Sequence, residues 1–141
     1  MAGDPRLLLW PIVALAALTF LVCLRLFVVR IGEMRRLRIA PQSVATSVQA
    51  GQRFVDTRAA DNFRNLFELP VLFYAALLIA FAIQAVDAIG LTLAWTFVAV
   101  RIAHSAIQCG YNRVVHRFAA HATGVAVLIA LWVWLTWRLL P

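Results

Sequence analysis

The chain has 141 residues, of which 64% are hydrophobic and 13% charged, with a formal net charge of +7. A soluble domain carries about 25% charged residues, so this composition excludes an ordinary water-soluble fold and points to a membrane protein. The positive charge is explained by membrane topology and by anionic lipid headgroups as partners, and no nucleic-acid partner is expected.

Four apolar runs account for the composition, at 7–29, 66–86, 89–109 and 119–140. Each approaches or exceeds the roughly 20 residues a spanning helix requires. Backbone amides in lipid have no water to bond, so each run reads as a helix. The expected fold is an all-α bundle of four transmembrane helices, with 1–141 as a single integral membrane domain. The first run is too long for the apolar part of a secretory signal. It holds Arg25 and lacks a small-x-small cleavage site before the basic cluster, so it reads as a true span.

The connection after it, from Ile31 to about Ala60, is the one sizeable loop. All thirteen basic residues of the chain are arginines. Arg30, Arg35, Arg36, Arg38, Arg53 and Arg58 gather between spans one and two, against Glu33 and Asp56. Pro41 followed by Ser43 marks a helix start within the loop, and a second helix is expected to begin near Ser47 or Gly51 and run on into the membrane. Arg113 and Arg117 follow span three, whereas the opposite side holds little beyond Asp4, Arg6, Asp87 and Arg138. The positive-inside rule then places both arginine-bearing loops in the cytoplasm and both termini outside.

Span two opens on an ion-rich stretch, RAADNFRNLFELP (Arg58–Pro70). At about 3.6 residues per turn, Arg58, Asp61, Asn62, Asn65, Glu68 and Leu69 share one helix face. Pro70 loosens the backbone just beyond Glu68. A short turn at Asp87–Gly90 makes spans two and three antiparallel neighbours. Span three carries a second polar stripe, Arg101, His104, Ser105, Gln108 and Asn112 with Tyr111 nearby, and is expected to continue as helix toward Arg117. A charge near mid-span costs about 2.5–3.5 kcal/mol. Glu68 is the one acid inside a span, so it is the expected partner of Arg101.

Polar contacts also bind membrane helices to one another, at under about 1 kcal/mol each on average, and a lone His104 is commonly such a contact. Two stripes of this size meeting beneath a basic rim point instead to a site for a small anion. Four helices enclose little interior, so the stripes are expected to meet across a symmetric homo-oligomer. His116 reads as a headgroup-facing residue, and Trp10, Trp132, Trp134 and Trp137 as interfacial anchors. Cys23 and Cys109 read as small buried hydrophobes. The three histidines lack metal-ligand spacing, and no metal is expected.

These residues carry a resemblance. RAADNFRNLFELP resembles the second-helix signature of the MAPEG family (membrane-associated proteins in eicosanoid and glutathione metabolism), an arginine preceding Asn-x-x-Glu, on Arg58, Asn65 and Glu68. VRIAHSAIQCGYNRVVHRF resembles that family's third-helix segment, with Arg-x-x-His on Arg101 and His104 and a later arginine on Arg117. The basic GEMRRLR matches its first loop, on Arg35. The resemblance implies a homotrimer with glutathione bound between subunits on the cytoplasmic side of, for a bacterial-type member, an inner membrane. It implies that Arg117 stabilises the thiolate, that Arg35 and Arg64 fork onto carboxylates, and that Glu68 orders the amino end. Arg58, Asn65, Arg101, His104 and Gln108 complete the expected binding set. The implied activity is a transferase or peroxidase acting on hydrophobic electrophiles. Three positions depart from the family pattern: Phe63 where several members have histidine, and Gln108 and His121 where tyrosines stand. The alternative is a non-catalytic membrane oligomer whose buried polar residues serve assembly and whose basic rim binds lipid or a partner. A four-span multidrug carrier fits poorly, because its first span would need an acid and 7–29 offers only Arg25.

Overall fold

The computed structural model describes residues 4–140; Met1–Gly3 and Pro141, part of the expected 1–141 unit, lie outside the described residues. Among the described residues all regular structure is helical: α1 (Leu9–Arg36), α2 (Ser47–Arg53), α3 (Arg58–Asn65), α4 (Leu69–Ala82), α5 (Ala88–Cys109) and α6 (Val114–Leu139), with short 3-10 turns at Pro5–Leu8 and Pro41–Val44. Four stretches are long and apolar enough to cross a membrane: Pro5–Arg36, Arg58–Ala82, Ala88–Cys109 and Val114–Leu139. The four expected spans are therefore present, with shifted ends. α1 runs past its apolar run to Arg36, where Arg35 and Arg36 complement the helix C-terminus.

The expected helix start at Ser47 is found, but α2 is a separate seven-residue helix. Thr46 caps it in a reciprocal pair with Gln49, each side chain accepting from the other's backbone N–H. It ends at Phe54, whose backbone is extended at φ −82°, ψ 136°. Glu33, buried on α1, accepts from the N–H groups of Val55 (3.0 Å) and Asp56 (3.2 Å) and so holds these amides out of a helix.

Span two is interrupted at Leu66–Glu68, upstream of where loosening was expected. In an unbroken helix the Pro70 nitrogen would donate to the Leu66 carbonyl; proline has no such donor, and its ring crowds that carbonyl. The chain relieves the conflict at Glu68 (φ −94°, ψ −96°) and restarts with Pro70 in the first turn of α4. Irregular backbone at membrane depth is tolerated where protein supplies partners for it, and here Arg101 of α5 donates to the Asn65 carbonyl just before the break.

α4 ends at Ala82, and the connecting turn is Ile83–Asp87 rather than Asp87–Gly90. Asp87 then caps α5 by accepting from the Gly90 N–H at 2.8 Å. At its other end α5 does not continue toward Arg117. It stops at Cys109, and Asn112 adopts a left-handed conformation (φ 50°), which asparagine tolerates better than most residues. Arg117 therefore belongs to the first turn of α6.

α5 and α6 form the most extensive helix pair. The core between helices holds Leu15, Leu66, Phe73, Leu77, Phe97, Leu131 and Leu135, all fully buried, and the Phe73 and Phe97 rings stack at 4.7 Å. Trp134, expected as an interfacial anchor, is instead buried and donates to Asp87 Oδ2 at 3.2 Å. α1 lies on the outside and leaves Phe20, Leu24, Phe27 and Val28 exposed.

Candidate functional site

The break in span two builds the site. Ending α3 at Asn65 frees the Asn65 carbonyl from the helix, and the Arg101 guanidinium takes it, NH2 donating at 2.7 Å. The expected Arg101–Glu68 ion pair is not formed: Glu68 lies in the break with its side chain exposed, and no salt bridge joins the two. Arg101 is wholly buried at 0% exposure, and its Nε and NH1 have no hydrogen-bond partner. This is an unusual state for a guanidinium, because an unpaired buried donor costs about 1–3 kcal/mol.

Neighbouring side chains lock α3 to α5. Asn62, fully buried, accepts from Ser105 Oγ (3.3 Å) and donates to Cys109 Sγ (3.4 Å). Asn65 Nδ2 donates to Gln108 Oε1 at 2.9 Å, which engages one atom of each amide and leaves the other for a further partner. His104, 2% exposed, has no partner for Nδ1, and its ring faces that of His121 at 5.9 Å between centroids. Arg117 is steadied by Asn112 Oδ1, which accepts from NH1 at 2.8 Å.

These groups surround a pocket of about 350 Å³ lined by Asp61, Asn65, His104, Gln108, Arg117 and His121, with Val114 and Phe118 as apolar walls. That volume lies within the range of small-molecule sites, about 300–1,000 Å³. Of the nine residues expected at the site, the pocket brings together Asn65, His104, Gln108 and Arg117, while Arg101 stands behind Asn65. Four others lie elsewhere in the single chain. Arg35 is exposed on the last turn of α1, and Glu68 is exposed in the break. Arg64 pairs loosely with Asp61 at 3.7 Å and lines a separate polar hollow with Arg30, Asp56 and Thr57. Arg58 donates to both carboxylate oxygens of Asp56 (2.8 Å each) and to the Gly110 carbonyl (2.6 Å).

The Arg58 contacts are architectural. Its hydrogen bond holds the Asp56 carboxyl below the usual carboxylate range. Arg25 donates to the Cys109 carbonyl at 2.6 Å, so two arginines from other elements satisfy the last carbonyls of α5.

Sequence reasoning missed Val114 and Phe118 as lining residues, and it placed Asp61 on the polar face and His121 at a family tyrosine position without assigning either to the binding set. The signal was present, since Val114, Arg117 and His121 follow i, i+3, i+7 spacing. It was hidden because an apolar run starting at residue 119 leaves Arg117 in a loop. A larger groove between α4 and α6, about 530 Å³, is lined by Leu69, Leu72, Leu128, Ile129 and Trp132 among other, mostly apolar residues. It offers no group for acid–base or anion chemistry. Among the described residues no group of three or more His, Cys, Asp and Glu converges.

Comparison with known protein families gives a match. The sequence model of the MAPEG family aligns with residues 8–137. No curated protein and no solved structure matches the chain. The family match covers nearly the whole chain, including every residue of the pocket and all of the four spanning stretches but the first residues of the first and the last residues of the fourth. With four apolar helices, no strands among the described residues and this match, the chain is an integral membrane protein of the MAPEG family.

Proposed function

We propose that this protein is a glutathione-dependent transferase or peroxidase acting on hydrophobic electrophiles dissolved in the bilayer. The observation that carries the reading is the pocket, where one arginine, two amides and a buried imidazole without a partner converge. Their donor set suits glutathione, which has two carboxylates, one ammonium and a thiol. Gln108 and Asn65 offer amide atoms for the peptide groups, His104 Nδ1 awaits a partner, and Asp61 suits the ammonium. When bound, glutathione supplies a sulfur nucleophile, but a free cysteine thiol, with a pKa of about 8.5, is little ionised at neutral pH. Arg117 is the cation in the pocket, and each unit by which it lowers a thiol pKa corresponds to about 1.4 kcal/mol of preference for the thiolate.

In this reading the enzyme is a homotrimer with the ligand at a boundary between copies. Arg35, Arg64 and Glu68 are outside the pocket of a single chain and exposed, so a neighbouring copy is the route by which they reach the ligand. The arginine-rich end faces the cytoplasm of a bacterial inner membrane, with both termini on the other side. Adding glutathione to detergent-purified protein should produce ultraviolet thiolate absorbance, and Arg117→Ala should abolish it without changing the elution volume. Absence of a thiolate signal, together with turnover of generic electrophiles that is nil or indifferent to Arg117→Ala, rejects the enzyme.

A second reading, a non-catalytic oligomer, draws on the polar residues that do knit helices together, Asn62 with Ser105 and Arg58 with Gly110. It predicts that Asn65→Ala and Glu68→Gln disturb assembly rather than activity. Size-exclusion profiles of these two variants, read beside their thiolate signals, separate the two readings.

A further inference from the structure

The pocket holds one ionisable group that the proposed thiol chemistry has not used. His121 sits on α6 one turn beyond Arg117 and lines the pocket beside it. Across from it, His104 is buried with Nδ1 unpartnered, the two rings lying 5.9 Å apart and tilted by 55°, with no direct hydrogen bond between them. Rings at that separation are packed neighbours, and together they form an imidazole wall of the pocket beside Arg117.

We propose that His121 is the proton carrier of this site: it takes the proton of the bound thiol and returns it to the adduct. The proposal rests on reading the pocket as a thiol site. Imidazole is the side chain suited to exchanging a proton near neutral pH. The other groups facing His121 leave the task to it. From α5, His104 is enclosed at 2% exposure, without the access to water that proton exchange requires. From α3, Asn65 does not titrate, and Asp61, which accepts from Thr57 Oγ1 (3.0 Å), is the carboxylate left for the ligand's ammonium. On α6 itself Arg117 is permanently cationic. His121 is only half-buried, so it can exchange with water between turnovers.

The step balances. His121 in its neutral form accepts the thiol proton through a ring nitrogen, leaving the S–H electron pair on sulfur beside Arg117. Sulfur uses that pair to form a bond to an electrophilic carbon. For an epoxide the C–O bond breaks, and for a conjugated alkene the π bond breaks; either way the displaced pair becomes a base. The imidazolium then donates its proton to that base and returns to the neutral form. Displacement of chloride from an aromatic ring needs no such return, because chloride leaves with its pair.

The two substrate types supply the test. With detergent-purified full-length protein, glutathione binding is measured by calorimetry, thiolate by ultraviolet absorbance, and released protons by an indicator dye in weak buffer. In the wild type, thiolate should form near neutral pH with less than one proton released per site, because the protein keeps it. His121→Phe and His121→Gln should bind glutathione within about threefold of wild type but release a full proton with each thiolate, and their thiolate fraction should climb steeply with pH. Addition to a conjugated enal should fall about a hundredfold, the usual scale of a lost acid–base group. At alkaline pH, where the thiolate is already formed, displacement on a chlorodinitrobenzene should fall far less than addition to the enal. If Phe does not fold, as judged by elution volume, the Gln variant carries the measurement. Proton counts and pH profiles identical to wild type in a folded variant overturn the role of His121 and leave the thiol site standing. Absence of any thiolate in the wild type removes both.

Discussion

The two ends of the bundle use polar residues in opposite ways. At the end bearing the Ile83–Asp87 turn, one carboxylate is fully employed: Asp87 accepts from the Gly90 N–H, from Trp134 Nε1 and from Arg138. At the arginine-rich end, a wholly buried Arg101 keeps two nitrogens without partners and a buried His104 keeps one, whereas toward the turn end the atom left so among the described residues is the uncharged Trp132 Nε1. Native interiors satisfy the great majority of buried polar groups. The first end therefore has the character of a structural fastening, and the second of a place kept for a ligand. On this view, changes at the turn end should cost stability and spare the pocket, and changes behind the pocket should do the reverse.

The largest loss should come from Gly90→Val. A Cβ at Gly90 would stand 2.5 Å from Trp134 Cζ2, and two further ring atoms lie within 2.9 Å. Neither α5 nor the buried indole can yield that distance without moving the helices apart. Overpacking of this kind costs about 1–3 kcal/mol, occasionally more. The apparent melting midpoint of the detergent-solubilised protein should drop by many degrees. Residual folded protein should still bind glutathione with wild-type affinity, a readout that the comparison requires.

Asp87→Ala comes next. It removes a helix cap, worth about 1 kcal/mol, together with the bonds from Trp134 and Arg138. The pH dependence carries a definite sign. Burial pushes the Asp87 carboxyl up, but the Gly90 N–H, Arg138 and Trp134 outweigh it and hold it below the ordinary carboxylate value. A group depressed in the folded state contributes stability that is present above its unfolded value, about 3.9 for aspartate, and that is lost as pH falls through the folded value. The wild type should therefore lose melting temperature on acidification to that range, and Asp87→Ala should lose less over the same interval. Equal acid sensitivity in both would show that Asp87 is not the fastening.

How far the sequence foretold these ends differs for a physical reason. The four spans were legible because long apolar runs in a chain with few charges have one solution in lipid. The polar stripes were legible because period and composition both mark them. Much of the rest depended on the backbone. Glu68 was the charge-based partner for Arg101, but the partner it has is a main-chain carbonyl freed by the break, and a carbonyl has no letter in the sequence. Pro70 announced a disturbance, yet a proline acts on the carbonyl four residues earlier, so the break fell upstream. Gly110 and Asn112 did signal the end of α5. Read that way, they would have put His121 on one helix face with Arg117, already expected at the site, and so brought it in as well.

The smallest effect on stability, and the sharpest division between the ends, belongs to Arg101→Met. The substitution orphans the Asn65 carbonyl, at about 1–3 kcal/mol. Against this it removes a buried charge whose own desolvation costs several kcal/mol, and buried ions replaced by apolar groups of similar volume are often neutral or stabilising. The two effects oppose each other, and the melting midpoint should stay near the wild type. Binding should not. Arg101 holds the backbone of Asn65, and Asn65 in turn holds Gln108 on the pocket wall. Without it, glutathione affinity measured by calorimetry should weaken about tenfold, equivalent to about 1.4 kcal/mol. Should Arg101→Met instead unfold as readily as Gly90→Val while binding unchanged, the unsatisfied arginine is a structural member like Asp87, and the contrast between the two ends is gone.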